Sequence, residues 1–379
     1  MLPFNLPCIT NREIKYVKDA LKRAKICGDG HYTKAVNEFF RDKLGIERSL
    51  LTTSCTHALE MSAILLDFNS NDEVILPSYT FVSTANAFVL RGGKPVFVDI
   101  DPDTMCMDPE LIPALITSKT KAICPVHYAG VCCDMDKINS IAKRHNLKVV
   151  EDAAQALGSK YKGHLAGTIG DIGCFSFHET KNYVMGEGGA FVTNDPDLME
   201  RAEIIREKGT DRSRFYRGQI DKYTWQEAGS SFLPSDILVA LLLAQLERFD
   251  EIMGKRMRIW NTYYEALKVL EEKGIIRLPV IPEYSTHNAH MFYLILPDLT
   301  ARTKFIEYLK RQEILSVFHY VPLHSSPMGQ RYGYKNGMLP KTEYFAERLV
   351  RLPLYAGLSI KDIRKICESI VSFFTKDGY

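Results

Sequence analysis

No stretch of the 379 residues is long and apolar enough to span a bilayer. The opening Met1-Leu2-Pro3-Phe4-Asn5 lacks the charged-then-apolar layout of a secretory signal. Neither sign of charge dominates, because 48 Lys and Arg stand against 46 Asp and Glu and leave a net charge of +2. That balance gives no reason to expect nucleic acid or an anionic membrane as a partner. The nine cysteines are scattered, odd in number, and contain no Cys-x-x-Cys pair. A disulfide framework and a zinc site are both disfavoured, even at Cys132-Cys133 near His127, so no metal is expected. Internal repeats and low-complexity segments are missing too. These absences leave a reduced, cytoplasmic globular protein with ordinary apolar (46%) and charged (25%) content, long enough for two domains.

What is present is an alternation of strand and helix. Apolar strands are predicted near 49–52, 72–77, 94–99, 121–126 and 148–152, with helices near 11–25, 58–66, 82–90 and 135–145 between them. Apolar strands separated by helices predict a mainly parallel sheet covered on both faces. A long helical run is predicted from 235 to 257, apolar nearly all round at its start. Beyond it, a strand at 290–296 and helices at 302–312 and 360–374 predict a small α+β domain. The expected division is 1–250 for a large domain and 251–379 for a small one.

The chemistry concentrates in Cys174-Phe175-Ser176-Phe177-His178-Glu179-Thr180-Lys181-Asn182-Tyr183 and the glycines that follow, Gly186-Glu187-Gly188-Gly189. The run 172–177 reads as a buried strand, ending in a polar turn that carries one lysine. A lysine there is placed to form a Schiff base with a carbonyl compound; it is as readily a solvated residue in a hairpin, so Lys181 needs partners. Strand 148–152 ends in Glu151-Asp152-Ala153-Ala154-Gln155, and strand ends are where ligands sit in open α/β sheets. Asp152 is a helix cap or a ligand-binding acid. Together, Lys181 and Asp152 are the pair a pyridoxal phosphate (PLP) site requires: an amine for the aldehyde, and a carboxylate that keeps the pyridine nitrogen protonated. Thr53-Ser54-Cys55-Thr56 opens a helix, where hydroxyls cap and free N–H groups bind phosphate alike.

Pro77-Ser78-Tyr79-Thr80-Phe81-Val82-Ser83-Thr84, the Asp152 segment and the Lys181 segment together make the chain resemble, over nearly its whole length, the fold-type I PLP-dependent sugar-nucleotide aminotransferases of the DegT/DnrJ/StrS type. Cys27-Gly28-Asp29-Gly30, Val126-His127-Tyr128-Ala129-Gly130 and Arg206-Glu207-Lys208-Gly209-Thr210 sharpen the likeness toward members that make 4-amino-4,6-dideoxy sugars on dTDP for bacterial surface glycans such as enterobacterial common antigen. The resemblance implies an aspartate-aminotransferase-like fold: a large domain on a mainly parallel, seven-stranded type of sheet, and a small α+β C-terminal domain. It implies transfer of an amino group from L-glutamate to C4 of dTDP-4-keto-6-deoxy-D-glucose, or to another nucleotide-linked keto sugar.

It further implies that Lys181 carries PLP, Asp152 pairs with the pyridine nitrogen, and Gln155 contacts the ring's phenolic oxygen. Thr53, Ser54 and Ser176 would hold the phosphate and Phe81 would stack on the ring. His319 and Tyr320 match a segment near the sugar. A homodimer with shared active sites is implied as well, and the mixture of cations and aromatics from Arg212 to Trp225 fits an interface or anion-binding loop, with Arg217 a candidate for the nucleotide sugar. Two departures stand out. Cys55 replaces a glycine common in the family, and Gly229-Ser230-Ser231 stands where an asparagine usually crosses to the neighbour's phosphate, leaving Ser231 as the candidate donor. Relatives that act as sugar dehydratases carry histidine at the lysine position, so Lys181 argues for amination.

Overall fold

Seven strands make the central sheet of the computed structural model, which describes residues 1–376. The first nine strands in chain order, all but β6 and β7 in this sheet, are β1 (Ser49–Thr52), β2 (Glu73–Pro77), β3 (Lys94–Val98), β4 (Thr120–Ile123), β5 (Lys148–Asp152), β6 (Lys160–Tyr161), β7 (His164–Leu165), β8 (Ile172–Ser176) and β9 (Gly189–Val192). The sheet runs β1-β9-β8-β5-β4-β2-β3. Every pair from β8 to β3 is parallel, while β9 runs against both of its neighbours. Successive residues of one strand face opposite ways, and here both faces are buried. Val74, Leu76, Val150 and Cys174 enter one core cluster, while Ile75, Val149 and Phe175 enter the other.

The remaining strands are β10 (Ser285–Thr286), β11 (Phe292–Ile295), β12 (Val317–Phe318) and β13 (Leu349–Leu352). β10 joins β6 and β7 in a small sheet, and β11-β13-β12 form a second, antiparallel one. A third apolar cluster packs this second sheet against the helices Phe249–Glu272, Leu299–Arg311 and Ile360–Lys376. The chain's start belongs to this part. Leu2 pairs with Ile314, its N–H donating to Glu313 O at 2.6 Å, and Phe4 O accepts from Leu354 N at 3.3 Å.

The long run predicted at 235–257 is instead two helices, Asp236–Leu246 and Phe249–Glu272. The break has a local cause. Arg248 leaves helical geometry (φ −107°, ψ 22°), and its guanidinium donates to Glu13 Oε1 at 3.1 Å and Cys8 O at 3.4 Å while pairing with Glu251 at 3.0 Å. Buried anchors at a neighbouring helix outweigh continuation of one hydrogen-bond ladder. Asp236 makes a similar tie. The helix His31–Leu44 begins at Gly30, which has no side-chain cap, and Asp236 accepts from the Tyr32 and Thr33 N–H groups instead.

Candidate active site

The C-terminal ends of β5 and β8 open on one side of the sheet into a cavity of about 800 Å³. Asp152 ends β5 and is buried. Its Oδ2 accepts from Thr84 Oγ1 at 2.7 Å and its Oδ1 from Ala154 N at 3.1 Å, so the carboxylate is held in place while still facing the cavity. Thr84 is itself bonded to Thr80 Oγ1 at 2.8 Å. Burial raises the Asp152 pKa, an effect opposed by the Thr84 and Ala154 hydrogen bonds and by Lys181.

Behind Asp152 lies a second buried acid. Glu151 binds His127 Nε2 at 2.7 Å and accepts from the N–H groups of Gly167, Ile169 and Gly170 at 2.5–2.7 Å. His127 Nδ1 accepts from Cys133 N at 3.1 Å, which fixes the neutral tautomer with the proton on Nε2. These bonds fix the end of β5 from the side away from the cavity.

Lys181 sits in the turn after β8, its N–H bonded to His178 O at 2.9 Å, and reaches into the same cavity. Among the described residues its Nζ has neither a hydrogen-bond nor an ion-pair partner. Burial lowers its pKa, and the Arg351 charge pushes the same way, while Cys55 and Asp152 oppose the shift. A half-buried amine without a partner, open to a cavity, is free to react with what binds there.

The polar end of the cavity forms where β8 and β9 meet the helix Cys55–Leu65. Ser54 caps that helix, its Oγ accepting from His57 N at 3.1 Å. Ser176 ends β8, and Thr56 bonds Ser83 at 2.8 Å; all four hydroxyls line the cavity. Gly189 makes the meeting close. A Cβ there would lie 2.4 Å from Cys55 N and 2.5 Å from Ser54 C, so only glycine lets β9 pass the helix start. Hydroxyls and free helix N–H groups fit a phosphate.

On the remaining walls, Phe81 is 57% exposed, a large apolar ring turned into the cavity. Gln155 accepts from Ala129 N at 2.7 Å and donates to Tyr320 Oη at 3.1 Å. His319 Nδ1 meets Tyr128 Oη at 2.9 Å, and burial holds the His319 pKa well below the usual range. The cavity therefore offers an amine, an anchored carboxylate, an aromatic face and a hydroxyl-lined end. These are the groups a phosphorylated pyridine aldehyde needs, and the residues fit it.

The structure thus brings together Ser54, Phe81, Asp152, Gln155, Ser176, Lys181, His319 and Tyr320. It does not bring in Thr53, Ser231 or Arg217. Thr53 Oγ1 is bonded to His57 Nδ1 and its N–H donates to Phe232 O at 2.9 Å. Ser231 is exposed and bridges to Glu207, and Arg217 pairs with Glu203 at 2.8 Å on the outer surface. Sequence reasoning missed Ser83, Thr84, His290 and Arg351. Arg351 alone left a signal: a single cation in the apolar run Leu349-Val350-Arg351-Leu352.

Comparison with known proteins places these features. The profile of the DegT/DnrJ/EryC1/StrS aminotransferase family matches residues 7–371. An uncharacterized protein of Methanocaldococcus jannaschii is 38% identical over 97% of this chain and 96% of its own length. The spore coat polysaccharide biosynthesis protein SpsC of Bacillus subtilis is 33% identical over the same shares. Among solved structures, Spr1654 of Streptococcus pneumoniae, described as a sugar aminotransferase and solved in its PLP-form, superposes with a TM-score of 0.91. It is 28% identical, with 99% of this chain and 98% of that one covered.

Proposed function

The chain belongs to the DegT/DnrJ/EryC1/StrS aminotransferase family and is a PLP-dependent sugar transaminase, and from that premise we propose its reaction. We propose transfer of an amino group from L-glutamate to C4 of dTDP-4-keto-6-deoxy-D-glucose, giving dTDP-4-amino-4,6-dideoxy-D-galactose and 2-oxoglutarate. The protein would then be a dTDP-4-amino-4,6-dideoxygalactose transaminase. The observation that carries the chemistry is the half-buried, unpartnered Lys181 amine sharing one cavity with the anchored Asp152 carboxylate.

When bound, PLP supplies an electron sink for the charge left when the donor's α-carbon loses a proton. Asp152 holds the proton on the pyridine nitrogen, and Thr84 and Ala154 hold Asp152. Lys181 Nζ, neutral more readily because of its burial, takes the α-carbon proton as general base. Ser54, Thr56 and Ser176 would hold the PLP phosphate, and Phe81 would offer an aromatic face to its ring. Gln155, steered by Ala129 and Tyr320, donates toward the ring's phenolic oxygen. His319 and Tyr320 flank the sugar.

Incubation with the keto sugar and L-glutamate should give stoichiometric 2-oxoglutarate and an axial amine at C4, assigned by NMR. An equatorial amine would move the assignment to the 4-amino-4,6-dideoxyglucose product, and an enzyme inert to the 4-keto sugar but active on a 3-keto isomer would move it to C3 amination.

The protein is further proposed to act as a homodimer with shared sites. Trp225 is 80% exposed, Tyr216 69% and Tyr223 49%, an aromatic display unusual for a free surface. Arg212 lies over the Tyr216 and Tyr223 rings, and Ser231 is nearby in the chain. Two inactive variants, Lys181→Ala and one altered within 212–225, should regain activity on mixing, each hybrid holding one intact site. No recovery despite demonstrated subunit exchange would count against sharing.

A further inference from the structure

One charged side chain in the cavity has no task in the reaction just proposed. Arg351 stands on β13, opposite Tyr293 of β11 and Val317 of β12, and reaches the cavity from the small sheet. One Nη donates to Phe318 O at 3.1 Å, and the guanidinium lies 4.8 Å from the Phe4 ring centre. Its Nε is buried without any partner, and no carboxylate among the described residues pairs with it. Burying one N–H of a guanidinium with neither a hydrogen-bond partner nor a counter-ion is costly. Retaining one in a ligand cavity is explained if an anion arrives with the ligand.

Three anions visit this site: the cofactor phosphate, the nucleotide's diphosphate and the amino donor's carboxylate. The phosphate has the hydroxyls and helix N–H groups at Ser54 and Thr56, at the helix start, and the Ser176 hydroxyl at the end of β8. A diphosphate carries about two charges and calls for several donors, whereas Arg351 is surrounded by neutral rings: Phe4, Tyr320 and His319, the last kept uncharged by burial. One fork of N–H donors matches one carboxylate in charge and in shape. Arg351 also acts electrostatically on Lys181, second to burial among the influences that lower its pKa, so the two cations share one local field.

We propose that Arg351 binds a carboxylate of the amino-acid donor, and so sets which amines the enzyme accepts. This rests on the reading of the protein as a transaminase with an amino-acid donor. A lysine at this position keeps the charge but loses the fork, and glutamine loses the charge.

The test uses the PLP-loaded enzyme and the first half-reaction alone, followed by the cofactor's absorbance on adding L-glutamate without sugar. Arg351→Gln should raise half-saturating glutamate by about a hundredfold and Arg351→Lys by less. Cofactor content and the half-saturating keto sugar in the second half-reaction should stay as in wild type. A readout independent of turnover is binding of glutarate, a dead-end dicarboxylate, measured by its perturbation of the same absorbance. Glutarate should weaken in step with glutamate, while its uncharged diamide binds all three proteins alike. Unchanged glutarate binding with a raised requirement for keto sugar would overturn the proposal and assign Arg351 to the nucleotide. Loss of cofactor in both variants would overturn it too. A wild-type enzyme inert to glutamate but converted by another α-amino acid would refute glutamate as donor, and the Arg351 comparison would then be run, with the same criteria, on that amino acid.

Discussion

Lys181→Ala is expected to abolish turnover, with a rate loss on the order of ten-thousand-fold or more, about 5.5 kcal/mol of barrier. The reason is that one amine is proposed to do two things, attach the cofactor and move the donor's α-proton, and no other amine among the described residues lines the cavity. The variant should still load PLP or its amine form noncovalently, because Asp152, Ser54, Thr56 and Ser176 are untouched. Borohydride reduction of the wild-type enzyme, followed by peptide mapping, should place the adduct on Lys181. An adduct on a different lysine would remove the basis for the whole site.

Asp152→Asn should cost about a hundredfold or more in turnover, roughly 2.7 kcal/mol, with the cofactor still bound. The substitution keeps the shape and the hydrogen bond from Ala154, yet removes the charge that favours a protonated pyridine nitrogen. Burial already raises the pKa of this carboxyl; a cationic partner at the ring nitrogen would stabilise the ionised form and counter that shift. Near-normal turnover in this variant would mean that another group protonates the ring.

The order of strands and helices around the central sheet was legible because its strands are apolar on both faces and end in polar turns, as at Val149-Val150-Glu151-Asp152. Lys181 and Asp152 were legible as chemistry for the same reason: each breaks an apolar pattern at a strand end. The break at Glu247–Arg248 was not, since it depends on Glu13 and Cys8, residues distant in sequence. Thr84 was equally hidden, because on its own it reads as an ordinary helix residue and only the fold brings it to Asp152. Thr53 and Ser54 look interchangeable in sequence, yet only Ser54 lies at the helix cap, while the Thr53 hydroxyl is taken by His57. Residues 212–217 read as loop, but Arg212–Tyr216 form a short helix too brief to show a periodic pattern.

The pairing of Leu2 with Ile314 and the contact of Phe4 with Arg351 carry a consequence for the order in which the site loosens. Residues 2–4 hold to the small sheet through one bridge and a few backbone hydrogen bonds. Segments held by so few contacts open at lower free-energy cost than the sheet they lean on. An opening that frees residues 2–4 would take the Phe4 ring from the Arg351 guanidinium while leaving the Ser54 cap and the Thr84–Asp152 bond in place. The wall facing the donor and the wall facing the cofactor would then have different thresholds for loosening.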